Sequence, residues 1–166
     1  MKATFTQIKS SSQRGFSLVE MIVTIAVLGV LASVGVMSLT SVSASSKAVV
    51  ARNLVETLNT GIHRFNESNY ELYYNPLSFS AQDEMVVLRT MQYRDPTRPA
   101  IGSPYVRPDF NPTTTNSTTE YRVMWTGTLY KLLPPGTAGY GLKVVYDASD
   151  ITTPYAFPAG FSLAGR

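Results

Sequence analysis

Residues 15–39 read GFSLVEMIVTIAVLGVLASVGVMSL, and this stretch decides how the rest of the chain is organised. Between Phe16 and Ser46 the only charged side chain is Glu20. At about 1.5 Å per helical residue, the 24 residues of the run 16–39 are enough to cross a hydrocarbon core about 30 Å thick. The sequence therefore predicts a membrane-spanning helix over residues 16–39.

The residues before this run set its orientation. Lys2, Lys9 and Arg14 precede it, and no acidic residue accompanies them. Because basic residues next to a membrane helix stay on the cytoplasmic side, we expect a cytoplasmic N-terminus and an outward-facing remainder. An ordinary secretory signal would have a shorter apolar region of about 7–15 residues, and a lipoprotein signal would need a cysteine, which the chain lacks.

Glu20 is the anomaly within the apolar run. A carboxylate at the centre of a membrane helix costs about 2.5–3.5 kcal/mol on insertion scales, and less near an interface. An uncleaved and featureless membrane anchor would leave this residue unexplained. Glu20 therefore calls for a partner.

The sequence QRGFSLVE at residues 13–20 resembles the type III signal of type IV pilins and type II secretion pseudopilins. In that family a prepilin peptidase cleaves after the glycine, and the new N-terminal residue is N-methylated. The resemblance marks residues 1–15 as a leader peptide, places the cleavage between Gly15 and Phe16, and makes Phe16 the methylated residue. The family's glutamate pairs with the terminal amine of a neighbouring subunit, which implies a role for Glu20 in subunit assembly.

This resemblance implies a structural filament subunit, with no cofactor and no enzymatic activity. We expect a type II secretion pseudopilin in the bacterial inner membrane, with a periplasmic head. Its partners would be the prepilin peptidase, other pilin or pseudopilin subunits and an inner-membrane assembly platform. A minor or atypical type IV pilin, serving adhesion, motility or DNA uptake, is the alternative. A membrane-tethered binding module that never polymerises is an alternative of another class, and it would tolerate the loss of Glu20.

Charge and cysteine content narrow these expectations. Without residues 1–15, eleven of the fourteen basic residues remain beside eleven acidic residues, so the formal charge falls from +3 to zero. Overall charge thus gives no support for binding to nucleic acid or to an anionic membrane surface. Many type IV pilins resemble one another in a C-terminal loop closed by a disulfide. A chain without cysteine departs from that pattern, which argues against a classical major pilin.

Beyond residue 39 the apolar pattern becomes amphipathic. Leu54, Leu58, Ile62 and Phe65 recur at helical spacing and form one stripe. We therefore expect one continuous helix to about residue 66, with residues 16–39 in the membrane and residues 40–66 in the periplasm. Its stripe would carry the core of a globular head.

The head is expected to comprise residues 67–166. The capping-box-like pair Ser80 and Asp83 predicts a short helix that ends near Tyr93, and the polar, proline-rich residues 95–119 predict a long surface loop. Alternation of period two then predicts three strands, over residues 121–126, 129–133 and 142–147. A meander this small needs a covering helix, so the predicted class is α+β and pilin-like, with a long N-terminal helix packed on a small antiparallel sheet.

No catalytic constellation is visible in the sequence. His63 is the single histidine, and the chain has neither cysteine, nor a GxxxxGK phosphate loop, nor an HExxH zinc motif. We expect His63 to be a surface or packing residue. The adjacent acids Asp83 and Glu84 start a short helix, where capping and interaction with the helix dipole explain them.

The C-terminal tail leaves two questions open. Asp147 and Asp150 are candidate calcium ligands, but two acids without a repeated pattern make a weak case, since calcium takes six to eight oxygens. The aromatic residues Tyr155, Phe157 and Phe161 could pack on the sheet edge or contact a neighbouring subunit. The sequence does not decide between these two arrangements.

Overall fold

A computed structural model describes residues 15–69, 83–161 and 163. Within those ranges it contains two helices and four strands: α1 (Leu18–Ser68), α2 (Asp83–Gln92), β1 (Thr114–Thr115), β2 (Arg122–Trp125), β3 (Tyr130–Leu133) and β4 (Gly141–Lys143). The predicted α+β layout, a long N-terminal helix followed by a small antiparallel sheet, is confirmed. The chain divides into two compact units, Met1–Ser43 and Ala44–Arg166. The predicted leader up to residue 14 and the capping residue Ser80 lie outside the described residues.

The part of α1 that belongs to the second unit supplies one wall of the core. Leu58, Ile62 and Phe65 are each at most 1% exposed, and Leu54 packs against them while partly buried. The predicted stripe is therefore confirmed. Gly61 lets the segment around Val106 pack closely against α1, because a Cβ at this position would lie 2.8 Å from Cγ2 of Val106.

The three predicted strands exist in shortened form, but the predicted meander order is wrong. The sheet has the order β1-β4-β2-β3, so β4 pairs with β2 on the side opposite β3 instead of extending past β3. The fourth strand, β1, comes from residues 95–119, which were expected to be only a loop, and pairs with β4 through Thr114↔Leu142 and Thr115↔Gly141.

The connection between β3 and β4 explains this order. Arg122 in β2 is completely buried, and its guanidinium donates hydrogen bonds to the main-chain carbonyls of Thr137 and Gly139. These bonds hold the connection beside β2. A Cβ at Gly141 would lie 2.8 Å from the carbonyl oxygen of Val123, so glycine allows β4 to start directly against β2.

Asn59 ties α1 to the outer edge of the sheet. Its Nδ2 donates to the carbonyl of Tyr130 at 3.0 Å, and its Oδ1 accepts the main-chain N–H of Tyr130 at 2.8 Å. The side-chain amide thus makes the two hydrogen bonds that a neighbouring strand would make to β3.

The predicted short helix is confirmed as α2, although its two acidic residues have a different environment from the one expected. Asp83 and Glu84 are both 3% exposed. Glu84 Oε1 accepts the main-chain N–H of Trp125 at 3.1 Å, and the hydroxyl of Tyr130 donates to the Glu84 carbonyl at 2.8 Å. Burial raises the pKa of Glu84, and the nearby Asp83 carboxylate raises it further, while the bond from Trp125 opposes the shift. Glu84 therefore joins α2 to the sheet.

The tail aromatics pack on the end of α2. The rings of Phe157 and Phe161 lie 5.1 and 4.7 Å from the ring of Tyr93, measured between centroids, and the Arg89 guanidinium lies 3.9 Å from the ring centroid of Tyr155. Main-chain bonds fasten the same segment, including one of 2.7 Å from Asn111 N–H to the Asp150 carbonyl. The tail is held to the head by these contacts without a disulfide.

Candidate functional site

The start of α1 is a capping box. Ser17 precedes the first helical residue, its Oγ accepts the main-chain N–H of Val19 at 3.3 Å, and its carbonyl accepts the N–H of Met21 at 3.1 Å. Glu20 makes the reciprocal hydrogen bond, in which its Oε2 accepts the main-chain N–H of Ser17 at 3.3 Å. The pattern Ser-x-x-Glu is the sequence signal for this motif. Sequence reasoning missed it by treating Glu20 only as a charge that lacked a partner.

The three predicted site residues lie together around this cap. Gly15 and Phe16 precede the helix in non-helical backbone, so the predicted scissile bond lies outside the hydrogen-bonded turns of α1. Phe16 is 79% exposed, and within the described part of the chain no atom beyond the adjacent residues lies within 4 Å of a Cβ placed at Gly15. Any requirement for glycine at this position would therefore come from a protein that acts on the chain.

Glu20 is placed to accept hydrogen bonds at the start of α1. Its carboxylate lies in the first turn of α1, where the unsatisfied N–H groups and the helix dipole favour a negative charge. Cleavage at the predicted bond would create a free ammonium at Phe16, one residue before the N–H that Glu20 already binds.

The apolar part of α1 fits a membrane. It is the one helix in the described residues that is long and apolar enough to cross a bilayer, and its apolar window is 0% buried inside the structure. The hydroxyls of Thr24 and Ser33 donate to the carbonyls of Met21 and Val30 at 2.9 and 2.7 Å, so both polar groups are satisfied within the helix. Gly29 and Gly35 have open space where a Cβ would be, which would let a second helix approach closely.

A comparison with family models matches residues 10–43 to the prokaryotic N-terminal methylation motif. The chain carries the type IV pilin and pseudopilin signal. This pilin signal ends at residue 43, where the first compact unit also ends. The signal supports membrane anchoring, processing by a prepilin peptidase and assembly with other pilin subunits, and it is the signal of a structural subunit and not of an enzyme class. Comparisons with curated proteins and with solved structures find no match.

The other candidate residues predicted from the sequence lie in the head. His63 is exposed on α1 beside Arg52 and Glu56. Asp147 accepts the main-chain N–H of Ser149 at 3.1 Å, as expected of a turn-forming acid. Across residues 15–69, 83–161 and 163, no group of three or more His, Cys, Asp or Glu residues is placed to hold a metal ion.

Proposed function

We propose that the chain is a pseudopilin, a structural subunit of the short periplasmic filament that serves type II secretion. The single observation that carries the proposal is the pilin signal at residues 10–43, with a glutamate at the start of an exposed apolar helix. In the proposal, prepilin peptidase cleaves between Gly15 and Phe16, and Phe16 is then N-methylated. The exposed, non-helical backbone at these residues supports access of the peptidase to the bond.

Assembly is proposed to use Glu20. In the free subunit the carboxylate is bound to its own helix start. In a filament it would meet the ammonium at Phe16 of a neighbouring subunit, and the apolar surroundings of packed helices would strengthen that attraction. The basic residues Lys2, Lys9 and Arg14 support a cytoplasmic N-terminus and a periplasmic head, assembled on an inner-membrane platform.

Two features of the head favour the pseudopilin over a classical major pilin. The chain has no cysteine, and hydrogen bonds and aromatic contacts fasten the tail to the head. A minor or atypical type IV pilin remains the alternative, since it would share the signal. The two differ in phenotype: deletion of a pseudopilin leaves secreted proteins in the periplasm, whereas deletion of a minor pilin reduces surface pili.

The test of processing is the N-terminal mass of the protein in a sheared-filament fraction. We expect the mature chain to begin at Phe16 with one added methyl group. Gly15→Val should block cleavage, and Gln13→Val, which adds the same side chain two residues upstream, is the matched control. Recovery of a chain beginning at Phe16 from Gly15→Val would refute the cleavage site, and a wild-type chain that never leaves the membrane fraction would refute the filament role.

A further inference from the structure

The turn at residues 99–103 displays one isoleucine almost completely to solvent. Ile101 is 88% exposed, whereas no other large hydrophobic residue in the described part of the second unit exceeds 51%. Single exposed apolar residues are common on protein surfaces, so the exposure alone carries no meaning. The hydrogen bonds that hold the turn are the second observation, because they fix the exposed position of Ile101.

Several hydrogen bonds hold this turn in place. The main-chain N–H and the Oγ of Ser103 both donate to the carbonyl of Ala100, at 3.1 and 2.8 Å. The hydroxyl of Tyr105 donates to the carbonyl of Ile101 at 2.9 Å and accepts from Nδ2 of Asn69, the residue after α1, at 2.9 Å. Gly102 adopts a φ of 79°, a conformation that other residues rarely adopt. The turn therefore presents Ile101 outward from a fixed support, and the side chain does not fold back onto the core.

A second surface of the same unit offers an apolar cavity. A cavity of about 320 Å³ opens between α1, the segment 105–110 and the segment 144–151. Its walls are mainly apolar and include Leu54, Leu58, Val106, Phe110, Val144 and Ile151. Cavities lined in this way hold apolar groups.

The mouth of the cavity carries a carboxylate. Asp150 lies there, half-buried, and burial raises the pKa of its carboxyl group. The neighbouring cation, Arg107, makes a two-pronged ion pair with Asp109, with distances of 2.7 and 2.6 Å. Arg107 also attracts the Asp150 carboxylate, which lowers the pKa of Asp150 against the effect of burial, so a cation arriving from outside would add to an attraction that is already present. Arg98, exposed and three residues before Ile101, would bring one.

We propose that Ile101 of one copy of this chain inserts into the cavity of the next copy, with Arg98 facing Asp150. The two surfaces are different parts of one head, so the contact does not close by a two-fold axis and can repeat from copy to copy. Repetition of this kind is what a filament subunit needs. The proposal rests on the proposed function and adds a head-to-head contact to the assembly by the membrane helix.

Charge substitution tests the contact in the full-length chain. Ile101→Asp should lower the affinity of the contact about 10- to 100-fold, since a charge replaces an isoleucine that the proposed contact would bury, and filament incorporation should fall accordingly. Ile101→Val should retain most of the wild-type incorporation, because valine is also apolar. Val86→Asp is the matched control, because Val86 is 43% exposed on α2 and does not line the cavity. Fluorescence of the single tryptophan checks that each head is folded. Equal incorporation of Ile101→Asp and wild type would overturn the proposal.

Cysteine crosslinking tests the geometry, and the absence of native cysteine makes the result direct. Disulfides form only between residues whose Cα atoms approach within about 7 Å. A chain with Ile101→Cys and Val145→Cys, which places one thiol on the turn and one at the cavity, should give a ladder of multimers in oxidised filaments. Each single variant, and the pair Val86→Cys with Val145→Cys, should give no ladder.

The outcomes separate this contact from the filament role itself. Filaments that form normally without a ladder overturn the Ile101 contact and leave the proposed function standing. A wild-type chain that forms no filaments overturns the proposed function, and the contact with it. A ladder that appears only when Ile101→Cys from this chain meets a cavity cysteine on a different pilin subunit would also overturn the proposal, because it would identify another partner.

Discussion

The capping box at the start of α1 allows the two roles of Glu20 to be separated by substitution. Glu20→Gln keeps a hydrogen-bond acceptor that can still bind the N–H of Ser17, but it removes the charge. Glu20→Val removes both, and Ser17→Ala removes the other half of the cap while leaving the charge. The three variants together therefore distinguish capping from charge pairing.

The expected magnitudes differ for the two roles. Both capping bonds are 3.3 Å long, beyond the usual 2.9–3.0 Å, so we expect the loss of either to cost about 0.5–1 kcal/mol, the lower part of the range for caps. A carboxylate and an ammonium about 4 Å apart attract by about 4 kcal/mol at an effective dielectric constant of about 20. Desolvation of the two charges offsets part of this attraction, so the expected loss of filament incorporation without the charge is at least about 10-fold.

Two assays read the two effects. The amount of each variant in the sheared-filament fraction, divided by total membrane-bound protein, reports assembly. Amide hydrogen exchange of residues 18–21 in detergent micelles reports fraying of the first turn. We expect Glu20→Gln and Glu20→Val to lose assembly alike, while Ser17→Ala and Glu20→Val share faster exchange and Glu20→Gln does not.

Assembly of Glu20→Gln at the wild-type level would refute the charge argument. If Glu20→Gln assembled normally while Glu20→Val and Ser17→Ala both failed, the cap would be the part of Glu20 that matters for the filament. Equal incorporation of all three variants would favour the anchor that never polymerises.

The remaining predictions concern the head and are measured by urea unfolding of the full-length chain in detergent, followed by the fluorescence of its single tryptophan. Asn59→Leu should destabilise the head by about 2–3 kcal/mol, because two hydrogen bonds to the main chain of Tyr130 are lost, whereas the exposed neighbour Thr60→Leu should change little. An equal effect of the two would show that the amide does not support β3. Gly61→Ala should destabilise the head by about 1 kcal/mol. The added methyl group would meet Cγ2 of Val106 at 2.8 Å and the carbonyl oxygen of Tyr105 at 3.2 Å, and this crowding outweighs the better helix propensity of alanine. A stabilised variant would show that the segment at residues 105–106 moves away from α1. Because the folded state holds the Glu84 proton more tightly than the unfolded chain, head stability should fall as the pH rises from the ordinary pKa of 4.5 through the raised folded value. Glu84→Gln should remove this part of the pH dependence, and an unchanged profile would assign it to other groups.

Local patterns in the sequence determined the long helix and the pilin signal at its start. The uniformly apolar run, the change to a stripe through Leu58, Ile62 and Phe65, and the signal around Glu20 are all read within a few helical turns, because the contacts that produce them join residues three to five positions apart. The capping box of Ser17 and Glu20 is equally local. Its Ser-x-x-Glu spacing is a signal in the sequence, although it was recognised only from the hydrogen bonds of the structure.

Only the tertiary structure decided how the strands are ordered and which polar residues are buried. A period of two identifies a strand but does not say which neighbour it pairs with, and the side-chain bonds from Arg122 that place β4 beside β2 reach across 15 and 17 residues. Glu84 likewise meets the main chain of Trp125 across 41 residues. Such bonds form only when the core has brought distant segments together and excluded water, and no pattern within a single segment encodes them.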